Sequence, residues 1–270
     1  MPIERIFLGW DRPLVIAVTE HLCAGRTSLP LDLADTAVVV PTQQAGRRLR
    51  EALAIRAATL GTGLWSPRVS PPPGLLALPA RPPLATALEL EATWLDLLRR
   101  VRLDDLPALF PVAPAVQDTA WALPLARALR RLRSTLAEAG LLIRDVAEGA
   151  GAEVVETDRW ADLAQLETRF LRDLARAGRA DPVSAQLAAA RDPQPAEGIR
   201  RILVAGVADL APLYQQALTR LAASVEVQIL IAAPPERAAD FDAWGCPRVE
   251  VWNREPLELE SPQRIHVDRR

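Results

Sequence analysis

Lysine is absent from this 270-residue chain, so all 32 strong cations are arginine. A phosphate-binding loop GxxxxGK[ST] is thereby excluded, because its lysine is the contact to the β- and γ-phosphates. A Schiff-base nucleophile, and a nuclease centre of two acids plus a lysine, fall with it. Histidine and cysteine are nearly as scarce: His21, His266, Cys23 and Cys246 are the full set. Two isolated cysteines supply neither the four ligands of a structural zinc site nor those of an iron–sulfur cluster. They read as reduced, part-buried thiols, with a disulfide between them open on sequence alone. No catalytic residue, metal ligand or cofactor is expected from these residues. Apolar runs are short too. None approaches the roughly 20 residues that span a bilayer, and "MPIERIFLGWDRPLVIAV" is interrupted by Glu4, Arg5, Asp11 and Arg12 before it can form a signal-peptide core. A soluble cytoplasmic protein without a membrane partner is the expectation. The formal net charge of −2 gives no global attraction to nucleic acid, which would need a local patch.

What is present is hydrophobic and ordered into two kinds of text. Half the residues are hydrophobic, enough for one large domain or two modest ones. The start reads strand, helix, strand, helix. "RIFLGW" is a short apolar run, "PLVIAVTEHLCA" has helical spacing at Leu14, Val18 and Leu22, and "TAVVVP" is a β-branched strand stopped by Pro41. "TQQAGRRLREALAIRAATLG" follows as a helix capped by Thr42 and closed at Gly61, with Leu49, Leu53 and Leu60 on its apolar face. The proline-rich "SPRVSPPPGLLALPARPP" suits a linker or extended ascent. From Ala85 to Ala190 the text is helical: "TALELEATWLDLLRRV", "ALPLARALRRLRSTLAEAGL", "RWADLAQLETRFLRDLARAG" and, after an Asp-Pro boundary, "ADPVSAQLAAA". Strands resume at "RRILVAG", "VEVQILIAAPP", "PRVEVWN" and "QRIHV". Alternating strands and helices imply a parallel sheet. The economical reading is an α/β domain over residues 1–83 and 195–270, interrupted by a helical insertion over 84–194.

Three stretches carry a resemblance. "VVVPTQQAGRRLREALA" (Val38 to Ala54) resembles motif Ia of superfamily 1 helicases, in which a strand ends in threonine and an arginine-rich helix follows. "GLWSPRVSPPPGLLAL" resembles the passage that enters the helical 1B subdomain. "ILVAGVADLAPLYQQALTRLA" resembles the Walker B strand and helix. Overall the chain is similar to the N-terminal region of AddB-like subunits of helicase–nucleases, and to proteins labelled as the PD-(D/E)XK nuclease family. The resemblance implies a RecA-like (P-loop NTPase-like) parallel sheet with a helical insert, a role in DNA double-strand break repair, and two partners: single-stranded or unwound DNA and an AddA-like helicase–nuclease subunit. The charged end "IHVDRR" follows a strand-like run and reads as a cut chain or a short relative, with any nuclease of the family lying outside it.

The departures from that pattern matter as much. After the first strand comes Gly9 and Trp10, with no second glycine, lysine or hydroxyl at phosphate-loop spacing. Ala205 and Gly206 stand where Asp and Glu would hold magnesium, which takes oxygen ligands. Asp209 alone matches the later acid of the motif, and "VQILIAAPPE" lacks the motif III turn, so no ATP hydrolysis is expected. What the motif Ia match leaves is a surface: Thr42, Gln43, Arg47 and Arg48 suit contacts to DNA phosphates, which position a strand without reading it. The same arginines, with Arg50 beside Glu51, equally describe the wet face of an amphipathic helix. In the Walker B-like stretch, Asp209 also fits a helix cap ahead of Pro212. Arg99–Arg100 and Arg130–Arg131 sit on the 1B-like helices, a subdomain that the resemblance allows along the DNA path, though a solvated helix face is the favoured reading. Trp94, Trp121 and Trp160 read as core, Trp10 and Trp65 as loop or strand-end residues, and His21 as surface. A docking module without DNA contact and an unrelated small-molecule α/β enzyme are the other readings; scarce histidine, absent lysine and no glycine-rich loop weigh against the enzyme.

Overall fold

The computed structural model describes residues 3–26, 29–79, 81–149 and 154–254. The first part contains β1 (Glu4–Phe7), α1 (Leu14–Cys23), β2 (Leu31–Asp32), β3 (Thr36–Val39), α2 (Gln43–Thr59), β4 (Leu64–Trp65) and β5 (Arg68–Ser70). Five helices follow: α3 (Ala87–Arg100), α4 (Thr119–Glu138), α5 (Ile143–Ala147), α6 (Thr157–Arg176) and α7 (Pro182–Arg191). The sheet resumes with β6 (Arg201–Ala205), α8 (Pro212–Leu221) and β7 (Glu226–Ile231), and α9 (Val249–Trp252) comes last. Helix starts are written locally. Thr42, Asp118 and Asp181 each accept the backbone N–H three residues on, and Thr86 forms a capping box with Glu89. Pro182 and Pro212 occupy first turns, where their missing N–H costs nothing.

The main sheet has the order β1-β7-β6-β3-β5, and every pairing is parallel; β2 and β4 form a second, two-stranded ladder. This is the expected α/β class. Strand residues alternate between two cores, as the two-residue pleat requires. Val38, Leu203 and Leu230 face Val18 and Leu22 of α1 with Leu49 and Leu53 of α2. Val39, Val204 and Ile229 face Leu213 and Leu218 of α8 with Leu187 of α7. A third core lies within the helical region, where Trp94, Leu98, Ala122, Leu166 and Phe170 pack together and the Trp94 and Phe170 rings stack at 4.0 Å. Trp121 and Trp160 lie against this core, as their spacing foretold. Among the described residues, no helix is long and apolar enough to cross a membrane.

Several local expectations are corrected. The proline-rich passage is no mere linker. Arg68–Ser70 pairs with β3 as the edge strand of the sheet, with Pro67 and Pro71 just outside the ladder where no N–H is needed. Within "PRVEVWN", Val249–Trp252 is a short helix, because Pro247 bridges back to Phe241 and the Trp252 indole donates to the Asp240 carbonyl. "QRIHV" and His266 lie outside the described residues. Leu60 ends α2 half exposed. His21 is not plain surface: its Nε2 lies 2.9 Å from Gln228 Oε1 on β7. Asp209 caps nothing; Ala211 holds the N-cap of α8. Both cysteines are free thiols.

One charged residue joins the helical region to the sheet side. Arg133 of α4 is 4% exposed, donates Nε to Glu167 Oε1 of α6 at 2.6 Å, and grips both oxygens of Asp181 at 2.9 and 2.8 Å. Asp181 in turn caps α7, which packs on α8. Burial disfavours the Asp181 charge, but the Arg133 fork and the Ser184 donors outweigh it and hold the carboxyl below its ordinary range. Removing one partner strands buried charge, so Arg133→Met should cost about 3–5 kcal/mol of unfolding free energy in urea titration. A depressed folded-state pKa contributes in full above the unfolded value and is lost as pH falls below it. Acidification through the ordinary aspartate range should therefore destabilise the wild type, and Asp181→Asn should flatten that part of the profile.

Candidate functional site

In a parallel sheet all strands end at one edge, and ligands collect where neighbouring strands send their following helices to opposite faces. Here that point lies between β3 and β6: β3 leads into α2 on one face, β6 into α8 on the other. A cleft of about 450 Å³ opens there, walled by Leu14, Val40, Thr42, Gln44, Arg48 and Ala205. The starts of α1 and α2 both border it. Helix N-termini present free N–H groups and a partial positive charge, which suits anions.

The motif Ia-like residues sit together at this edge. Thr42 is the N-cap of α2, and its hydroxyl accepts the Ala45 N–H at 3.1 Å. Gln43 is the first helical residue, exposed, one position before Gln44 on the cleft wall. Arg47 and Arg48 are exposed and form no ion pair among the described residues; Arg48 lines the cleft. Arg50 departs from the wet-face expectation, because it turns inward and donates to the Val69 carbonyl of β5 at 3.1 Å. Gln44 is not singled out by the sequence, and Leu14 only as one residue of an apolar helix face. A glutamine in a polar run and a leucine in an apolar one carry no signal that two helix starts will converge.

The residues that the sequence reading expects at a degenerate nucleotide site divide into two groups. Gly9 and Trp10 follow β1 and bind the end of β7: the Gly9 N–H donates to the Ala233 carbonyl at 3.0 Å and the Trp10 indole to Ala232 at 2.5 Å. Arg237 stands over both Trp10 and Trp252, 5.7 and 4.9 Å from their centroids. A cation–aromatic stack thus holds the turn after β1. Ala205 and Gly206 end β6, on the far side of β7 from β1. Gly206 has φ +63°, and a Cβ there would overlap Leu14 Cδ2. Leu14 lies against Gly206 at the strand end, and neither Ala205 nor Gly206 offers a side-chain oxygen ligand. These residues do not fit a magnesium–nucleotide. Asp209 is exposed; beside it the Cys246 thiol is pushed up, first by burial and further by Asp242 and Asp209, against the Leu210 N–H. No three of His, Cys, Asp and Glu gather as a metal-holding group among the described residues.

No protein-family model matches the chain, and a search of the curated proteins gives no match.

The packing at the strand end is directly testable. Gly206→Ala should destabilise by about 1–2 kcal/mol from its left-handed backbone alone, with the Leu14 overlap added. Leu14→Ala relieves the overlap, so the double variant should lose less than the sum of the singles in thermal unfolding.

Proposed function

We propose that the chain is a non-catalytic, RecA-like portion of an AddB-like DNA double-strand break repair protein. It binds single-stranded DNA by the backbone at the β3–β6 edge, in company with an AddA-like subunit. The observation that carries this reading is the grouping of Thr42, Gln43, Gln44, Arg47 and Arg48 at the switch point of a parallel sheet, with both arginines unpaired among the described residues. Hydroxyl, amide, guanidinium and helix-terminal N–H groups are among those that contact phosphate oxygens. The non-catalytic part of the reading is supported by Leu14 over Gly206 and by the Trp10 turn, which leave neither a phosphate cradle nor magnesium ligands.

Polarity of the sheet makes the edge suitable for a strand rather than a compact ligand. The cleft floor is apolar, Arg48 lines its wall, and Arg47 stands outside it on the exposed side of α2. A sugar–phosphate chain can pass across such an edge, using each cation as one counterion-releasing contact.

Binding of an oligothymidylate should weaken linearly on a logarithmic salt scale. Arg47→Ala with Arg48→Ala should lower the slope by about 1.4, two phosphates at roughly 0.7 each, with stability changed by less than about 0.5 kcal/mol. Salt-independent or absent binding removes DNA from the proposal and leaves partner docking. ATP turnover above background rejects the non-catalytic reading.

A further inference from the structure

The helical region has a concavity of its own, of about 520 Å³, enclosed by α3, α4 and α7. Its charged wall is α4, where Arg127, Arg130 and Arg131 recur at helical spacing along one face. One carboxylate of the lining opposes them. Glu91 of α3 accepts from Arg127 Nε at 3.2 Å and from Arg130 Nη1 at 2.7 Å. Each contact engages one nitrogen and leaves the rest of that guanidinium for another acceptor. Arg131 is exposed and makes no ion pair among the described residues. Arg133 also reaches the lining, but its charge is committed to Glu167 and Asp181. Even with that buried group included, cations outnumber carboxylates around the pocket.

The apolar side of the pocket is set by Leu90 and Trp94. Trp94 is 0% exposed and forms part of the same wall, yet its indole N–H has no acceptor among the described residues. Buried donors are almost always satisfied. Its ring is fixed by the stack on Phe170, so the donor cannot turn away without breaking the core of the bundle. That donor is sealed from the pocket, so it is the arginine forks alone that ask for an oxygen-rich anion.

We infer that this pocket binds a phosphate group, held by the free forks of Arg127, Arg130 and Arg131 against the Leu90 and Trp94 wall. A single carboxylate would occupy one fork, whereas a phosphate offers oxygens to several guanidinium groups at once and carries the larger charge. Glu91 bridges Arg127 and Arg130, one carboxylate oxygen to each. The site is on different elements from the β3–β6 edge, so its occupancy does not depend on the DNA-binding reading.

Inorganic pyrophosphate titrated into the whole chain by calorimetry tests this. One equivalent should bind saturably, and Arg127→Gln and Arg131→Gln should each weaken it at least fivefold. Both side chains are exposed, and circular dichroism of the variants should be unchanged. Arg131→Lys, which keeps the charge and loses the fork, should fall between wild type and Arg131→Gln. Arg47→Ala with Arg48→Ala should leave pyrophosphate binding intact. No saturable binding, binding indifferent to the double Arg127→Gln and Arg131→Gln variant, or binding lost with Arg47 and Arg48, each overturns the proposal. Competition by an oligothymidylate identifies the ligand group as a strand phosphate; failure to compete identifies a free phosphorylated compound, and either upholds the pocket.

Discussion

The pairing of β6 with β3 is the contact on which the rest of the molecule depends. Its register, Thr36 with Arg201 through Val39 with Val204, joins two segments separated by the whole helical region. That register sets the end of β6 beside the end of β3. Ala205 then meets Val40 and the α2 start across one cleft, and Leu14 comes down on Gly206. Slipping a strand by one residue would exchange its two faces. Val38 and Val39 would then face the wrong helices, and both sheet cores would be lost together. The long excursion is tolerable because loop closure costs grow only slowly with length, and because the excursion has a core of its own.

The Arg133 group adds a buried polar tie to the apolar packing of α7 on α8. A buried ion group is no strong source of stability in itself, since desolvation offsets much of the attraction. What it supplies is geometry: a planar fork fixes α7 through its capping aspartate at the moment it fixes α6 through Glu167. The choice of arginine over lysine matters, because only a fork can hold both oxygens of Asp181 and still reach Glu167. A chain that uses arginine for every strong cation has such forks available at each charged contact, buried or wet.

Much of the architecture was open to reading. β-Branched runs, helical apolar spacing, the Thr42 cap and the Asp-Pro boundary announced α1, α2, α3, α4, α7, β3 and β6, since these signals act within a few residues. Thr42 was legible as a cap and Trp94 as core. The misreadings fall where partners are distant. Arg68–Ser70 became a strand because β3 offered a free edge, and Val249–Trp252 became a helix because Asp240 and Phe241 anchor it. Arg50 matches its neighbours in sequence but finds a carbonyl of β5 within reach.

Composition and local pattern therefore determined the class of the protein: parallel α/β text around a helical passage, arginine as the sole strong cation, and no phosphate-loop lysine. These follow from side-chain chemistry and short-range periodicity. Tertiary structure alone decided that Leu14 covers Gly206, that Gln44 and Arg48 share a wall with Ala205, and that Glu91 and Trp94 meet the arginines of α4. Those are meetings between segments far apart in the chain, set by strand register and helix packing, and no local pattern encodes them.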